Sequence, residues 1–282
     1  MIFLYFHQIM IIEGESVAAK GSCLFCGFGR LRLLFDCGTK PPESASKISM
    51  ILITHGHDDH HKMLYSIMSE YDSFPPKVYV PAELVDGIVS ILNAFTSLNT
   101  AGAQTICDYA KHVVGISDCD EFFTPDKNYK ITAFKTFHGE DTPSIGYTIS
   151  KRRAILKSEY KNLQSSELAK LGKSKVKTKE LVYMPVCAYT GDTTPEVFES
   201  DYMRSLLKVD GVTIITECTF FDKEDKARAD KTFHSHYDDL AQILEDNKNV
   251  HFRLTHFSAR YTERMSEITE KIEESHPNTK II

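Results

Sequence analysis

Residues 54–60 read Thr54-His55-Gly56-His57-Asp58-Asp59-His60, at the end of an isoleucine-rich run, ISMILIT, over 48–54. A short apolar run of this kind reads as a buried strand. Behind it, apolar residues recur at three- and four-residue steps from His60 to Tyr71, the pattern of a helix. Four ligand-type side chains, His55, His57, Asp59 and His60, therefore fall within six residues at a strand-to-helix turn. A sharp turn there can point all four into one pocket. Imidazole and carboxylate suit zinc, and their alternation lets two metals divide them.

Three more candidates each follow a strand-like run. His138 follows ITAFKTF, Asp192 follows LVYMPVCAYTG, and His256 follows HFRLT. In α/β architectures functional groups gather at the carboxyl ends of strands. Seven ligand-type residues at four strand ends point to a two-metal hydrolase. In such a site zinc lowers the pKa of bound water from about 15.7 to about 7, and a second metal about 3.5–4 Å away stabilises an oxygen of the substrate. A carboxylate bridging the metals would fix their separation, and Asp192 is the candidate for it.

The remaining elements alternate. CLFCGFGRLRLLFDCG reads as a hairpin around Gly27 to Arg30. KVYV, YKITAFKTF, SIGYTIS, LVYMPVCAY, VTIIT and HFRLT read as strands, and Ala82 to Phe95, Asp238 to Glu245 and Ala259 to Glu274 as helices. The class is α/β. With no repeat, low-complexity tract or Pro/Gly-rich linker, residues 1–282 read as a single domain.

Composition is that of an ordinary globular protein, 42% hydrophobic and 26% charged. A net charge of −6 excludes a globally basic nucleic-acid binder. The apolar start, Met1 to Ile12, is too short to span a bilayer and lacks the basic leader and cleavage site of a signal peptide. It reads as a first strand, with Met10 as a second candidate start. Seven cysteines, an odd number without a dense framework, suggest reduced thiols in a cytosol-like compartment. Cys23 and Cys26 form one Cys-x-x-Cys with no partner pair, and read as small buried apolar residues.

Residues 151–179 break the composition. Ten basic residues there, Lys151, Arg152, Arg153, Lys157, Lys161 and Lys173 among them, face only Glu159 and Glu167, a net of +8 on a body of −14. A concentrated basic element on an acidic body suggests contact with a polyanion. A solvated arm without a partner is the alternative.

The run His55-x-His57-x-Asp59-His60, with His138, Asp192 and His256, resembles the ligand set of the metallo-β-lactamase superfamily. The resemblance implies an αββα four-layer sandwich with the site at one edge. It implies one zinc held by His55, His57 and His138, a second held by Asp59, His60 and His256, and Asp192 bridging. Further segments resemble the tRNase Z family, its short plant-type forms above all. They are Thr216-Glu217-Cys218-Thr219-Phe220, His234-Ser235, Leu254 to Tyr261 (LTHFSARY), Pro143 to Tyr147 (PSIGY), and the short stretches KTFH and GDTT. The similarity runs from about Met10 to Tyr261.

That family resemblance implies a zinc-dependent endoribonuclease that removes the 3′ trailer of precursor tRNA. Asp59 would orient the attacking water, and His234, held by Glu217, would donate a proton or hydrogen bond to the leaving oxygen or the phosphate. Without the resemblance, Glu217 is a strand-end carboxylate and His234 a loop residue. Segment 151–179 lies where the family inserts an arm that grips the tRNA elbow, and phosphate contacts by lysine and arginine give affinity without base readout. The family acts as homodimers, one subunit's arm holding tRNA cut by the other. Arg260 is a further candidate for substrate phosphate, and Tyr261 for that role or for helix-start packing. The expected location is cytoplasmic, with the nucleus or an organelle as alternatives.

The sequence also departs from the family pattern. Thr216 and Cys218 replace the usual residues of their element, and His61-Lys62-Met63 replaces a glycine-rich step. The N-terminal loop that deals with CCA ends is missing, since the chain passes directly through AAKGSCLFCG. Two other functions remain in competition: a cyclic-nucleotide phosphodiesterase on the same two-zinc scaffold, for which the arm would be superfluous, and a non-catalytic RNA-binding relative, which decayed ligands would mark.

Overall fold

Alternation along the strand at residues 50–53 sets the layers. Met50 and Leu52 face one side of their sheet and Ile51 and Ile53 the other, and all four are buried. A strand apolar on both faces must be covered on both. A computed structural model describes residues 10–71, 74–101 and 108–282, and shows what covers it.

Among the described residues the first sheet contains β1 (Met10–Ala18), β2 (Gly21–Phe28), β3 (Leu31–Phe35), β4 (Met50–Leu52), β5 (Lys77–Pro81), β6 (Val113–Ile116) and β13 (Phe257–Ser258), in the order β13-β1-β2-β3-β4-β5-β6. The second contains β7 (Glu121–Phe123), β8 (Tyr129–Lys135), β9 (Ile145–Leu156), β10 (Lys179–Tyr189), β11 (Thr213–Glu217), β12 (His251–Thr255) and β14 (Thr279–Ile281), in the order β14-β12-β11-β10-β9-β8-β7. Leu24, Leu33, Leu52, Ile131, Tyr147 and Tyr189 pack between the two sheets. On the outer face of the first, Ile51, Ile53 and Val78 meet α2 (Leu64–Ser69) and α3 (Val85–Thr100). On the outer face of the second, Ile214, Phe252 and Leu254 meet α5 (Asp201–Leu206), α7 (Tyr237–Asp246) and α8 (Met265–Ser275). Three apolar interlayers make four layers, αββα.

Cys23 and Cys26 illustrate the alternation. Three residues apart on β2, they lie on opposite faces, Cys23 toward the helices and Cys26 between the sheets. They are buried and cannot share a metal. The six described cysteines are all unpaired.

The helix expected over 60–71 is broken. α1 (Asp58–His61) stops, and α2 starts at Leu64. The cause is tertiary. The Cys37 amide donates to the His60 carbonyl at 2.7 Å, and the Met63 amide donates to the Cys37 carbonyl at 2.9 Å, so this backbone is tied to the end of β3. The helix expected at 82–95 runs on to Thr100, and the one expected from Ala259 begins as a 3₁₀ turn, with α8 proper from Met265. The expected strand at 1–12 falls largely outside the described residues, where β1 begins at Met10. Among the described residues β6, β7, β13, β14, α4 (Ser165–Lys173), α5 and α6 (Lys226–Thr232) escaped the periodicity.

Segment 151–179 grows out of the core. β9 and β10 pair antiparallel from Tyr147↔Tyr189 to Leu156↔Lys179. β9 is buried through Ser150, then turns half-buried to exposed. Beyond the hairpin lies α4 (Ser165–Lys173), whose first turn is capped by Glu167 accepting from the Gln164 amide at 2.8 Å.

Candidate active site

One edge of the sandwich collects the strand ends. β3 and β4 run parallel, as do β10, β11 and β12, so their carboxyl ends emerge on the same side. Each delivers a polar side chain: Asp36 after β3, His55 after β4, Asp192 after β10, Glu217 at the end of β11 and His256 after β12. His138 follows β8. Gly191 makes the approach of Asp192 possible. Its φ is +65°, and a Cβ there would lie 2.7 Å from the Thr54 side chain. Gly38 lets the α1 segment close on β3, since a Cβ there would overlap the Asp59 carbonyl at 1.5 Å.

The structure brings all seven ligand-type residues together. His55, His57 and His138 form one group, and Asp59, His60 and His256 another. Oδ2 of Asp192 lies 3.3 Å from Nε2 of His60, 3.4 Å from His256, and 3.9 Å from both His55 and His138, between the two groups. His55, His60, His138, Asp192 and His256 are buried, Asp59 is half-buried and His57 exposed. The cluster therefore opens to solvent on the His57–Asp59 side.

The outer nitrogens are tied down. Nδ1 of His60 meets Oδ2 of Asp36 at 2.9 Å, and Nδ1 of His138 donates to the Phe233 carbonyl at 3.0 Å. Nδ1 of His55 lies 3.0 Å from the Thr54 hydroxyl, and Nδ1 of His256 lies 3.0 Å from the Thr219 hydroxyl. With Nδ1 so engaged, Nε2 of each points inward, the arrangement that metal-binding histidines adopt. Nε2 of His60 and of His256 is buried without a hydrogen-bond partner. Buried imidazole nitrogens left bare, around a central carboxylate, fit a metal ion that accepts nitrogen and oxygen ligands. The electrostatics divide, since burial disfavours a charged His60 but Asp192 and Asp36 outweigh it and raise its pKa well above the usual imidazole value. Burial lowers the pKa of His55 and of His57. Asp192 is held well below the carboxylate range, because His256 and His60 outweigh its burial.

Glu217 is the second organiser. Its Oε1 accepts from the Thr193 amide at 2.7 Å and from Nδ1 of His234 at 2.8 Å. Its Oε2 accepts from the Thr219 hydroxyl at 2.5 Å, the Ser235 amide at 3.1 Å and the Thr219 amide at 3.3 Å. With its lone pairs occupied, this carboxylate orients other groups and is no free base. Burial works against a charged His234, yet the charge of Glu217 and their hydrogen bond push its pKa up to about 9. Cations in the cluster would draw that value down. The Thr219 hydroxyl has one proton, which it gives to Glu217, so it accepts from Nδ1 of His256. One carboxylate thus sets His234 directly and His256 through Thr219.

Strain marks the same edge. Asp36 at φ 55°, Phe233 at 55° and His256 at 63° are non-glycine residues in the left-handed region, a cost that functional sites commonly carry. Sequence reading missed Asp36, Tyr189, Thr219 and Phe233. The strand-end argument that found His256 applies equally to Asp36, a lone carboxylate closing LLFDCG.

The remaining candidates lie elsewhere. Arg260 is ion-paired with Asp225 and sits 5.7 Å over the Phe220 ring. Tyr261 is buried and donates to Asp225 at 2.6 Å, a packing role. On the arm, Lys151, Arg152 and Lys157 are half-buried, and Arg153, Lys161 and Lys173 exposed. Arg152 donates to the Asn128 side chain at 3.0 Å. His236, beside His234, is buried and caps α7 by accepting from the Asp238 amide. His61 lies 3.2 Å from the Gly56 carbonyl. No helix among the described residues is long and apolar enough to cross a membrane.

Comparison with known proteins places this geometry. The family model of the Anti-Pycsar protein Apyc1 matches residues 19–181, a span that ends before Asp192, Glu217, His234 and His256. tRNase Z TRZ1 of Arabidopsis thaliana is 30% identical over 89% of this chain and 86% of its own length. The chloroplastic tRNase Z TRZ2 of the same plant is 29% identical over 93% and 70%. The fold is that of the short form of human tRNase Z, with a TM-score of 0.54 and 18% identity over 90% of this chain and 93% of that one. Sharing the metallo-β-lactamase fold with these proteins, and 30% of its residues with a plant relative along most of both chains, this chain belongs to the tRNase Z (ribonuclease Z) family.

Proposed function

We propose that this protein is a zinc-dependent endoribonuclease that removes the 3′ trailer from precursor tRNA. The observation that carries the proposal is the Glu217–His234 pair set beside seven converging ligand-type residues, in a chain 30% identical to a plant tRNase Z. His55, His57 and His138 would hold one zinc, Asp59, His60 and His256 the other, and Asp192 both. Bound there, the pair supplies Lewis acidity and a water acidic enough to act near neutral pH.

The chain's own residues do the rest. Asp59, half-buried at the open side, accepts from the attacking water and orients it. His234 keeps Nδ1 on Glu217, which leaves the Nε2 proton for the leaving oxygen or the phosphate. Residues 1–282 act as one domain, with 151–179 as its RNA-gripping arm. Arg153, Lys161 and Lys173 are its exposed contacts, Lys151, Arg152 and Lys157 its half-buried ones, and Arg260 a rim contact once released from Asp225. A homodimer would let one copy's arm hold RNA cut by the other. Six unpaired cysteines support a reducing compartment, the cytoplasm first.

A second reading, a cyclic-nucleotide phosphodiesterase, has one observation on its side. A cleft of about 750 Å³ beside His138 accommodates a ligand of nucleotide size. The two are separated by giving the zinc-loaded protein a precursor tRNA with a 3′ trailer, and cyclic AMP and cyclic GMP in parallel, with Asp59→Ala as control. One cut near the end of the acceptor stem, absent in the control, supports the nuclease. An intact precursor with rapid opening of a cyclic nucleotide overturns it.

A further inference from the structure

Phe233 occupies a backbone position that disfavours a side chain. It closes α6 with φ 55° and ψ 45°, the left-handed C-terminal position that glycine or asparagine usually fills. A residue with a Cβ is disfavoured there. The structural task at this position belongs to the backbone, whose carbonyl holds Nδ1 of His138. Any residue would supply that carbonyl. The ring itself is 40% exposed, with its edge 3.8 Å from where a Cβ on Gly139 would stand.

What the ring does have is location. The cleft of about 750 Å³ runs along loop 139–145, and a second of about 710 Å³ reaches His234. The two share Thr194, Glu196 and Phe233 in their linings. Phe233 stands at their junction, next to His234 in the chain and bound through its carbonyl to His138. Among the described residues Lys135 is the one cation lining the first cleft, against Glu83, Asp118, Glu140, Asp141 and Glu196, so phosphate contacts do not hold a nucleotide there. A ring face suits any base, because every base has a π-face of its own.

We propose that Phe233 is a stacking platform for the nucleobase adjoining the scissile phosphate. The proposal rests on the reading of this protein as a nucleotide phosphodiesterase of either kind. It gives the aromatic side chain a use at a position where glycine would be less strained.

The test compares wild type with Phe233→Ala, Phe233→Gly and Phe233→Tyr on a precursor tRNA and on the same precursor abasic at the two nucleotides flanking the cut. The alanine and glycine variants should lose roughly 10- to 100-fold in kcat/KM on the intact precursor, through KM, and tyrosine should restore it. On the abasic precursor wild type should fall by a similar factor, and Phe233→Ala no further. Phe233→Gly should melt no lower than wild type. Full activity of Phe233→Ala on the intact precursor would overturn the proposal. So would losses that multiply when ring and base are both removed, or a Phe233→Gly protein that melts well below wild type. A wild type that leaves the precursor whole refutes the tRNA reading instead. The stack is then tested on cyclic AMP, where loss of the ring must raise KM by the same order, and an unchanged KM overturns it.

Discussion

Nδ1 of His60 lies 2.9 Å from Oδ2 of Asp36, and both side chains are fully buried. The same carboxylate accepts from the Thr54 amide at 2.8 Å and the Tyr189 hydroxyl at 2.9 Å. It therefore fixes the ring of one ligand, the turn that carries His55, and the start of the Asp192 loop. An orienting carboxylate behind a ligand histidine is worth roughly 10–100-fold in metal affinity. Asp36→Asn keeps the shape, and asparagine tolerates the left-handed backbone. It should fold and bind zinc roughly 10–100-fold more weakly in a chelator competition. An unchanged affinity would mean that Asp36 serves the fold alone.

Glu217 and Thr219 form a unit, and their effects should not add. His234→Ala removes the proton donor, a loss of roughly 10²–10⁴ in kcat. Glu217→Gln frees the same ring, so the double variant should be little worse than the poorer single one. Thr219→Val keeps the shape but deprives Nδ1 of His256 of its acceptor. It should weaken zinc binding, and Thr219→Ser should restore it. Additive losses for Glu217 and His234 would mean that the carboxylate does not act through that ring, and a serine variant no better than valine would place the Thr219 hydrogen bonds outside the site's function.

Much of this site was legible because strand ends are legible. His55, His138, Asp192 and His256 each close an apolar run, and parallel strands then carry them to one edge. The residues alone gave the α/β class, and the four layers came from the family resemblance. What escaped was tertiary. Nothing near Lys62 foretells that Cys37, remote in sequence, will intercept the helix there. Arg260 looks free in the sequence, while Asp225, 35 residues away, holds it. Phe233 gives no local signal, because its meaning lies in a backbone angle and in two clefts built by other segments.

Gly191 tests how tightly the Asp192 loop is set. A Cβ there meets Thr54 atoms at 2.7–2.8 Å, on a backbone at φ +65°. Left-handed strain and overpacking together put Gly191→Ala at about 2–5 kcal/mol of lost stability. The urea midpoint should fall accordingly with an unchanged slope. A midpoint at the wild-type value would show that Thr54 can step aside, and with it the turn that Asp36 holds.

The arm separates by residue. Lys161 and Lys173 are exposed on it and Lys157 is half-buried, so replacing the three with alanine should raise KM for precursor tRNA. Every lysine–phosphate pairing removed in this way should also lower the slope of log affinity against log salt by about 1. Turnover of a small phosphodiester, which needs no arm, reports whether the cluster is intact. Arg152 should behave differently, because it is bound to Asn128 at the base of the hairpin. Arg152→Ala should loosen that base and leave most of the salt slope in place. If the triple-lysine variant binds RNA with the wild-type salt dependence, the net charge of +8 over residues 151–179 is a solvated surface, and the grip on the tRNA must be sought on the body of the protein.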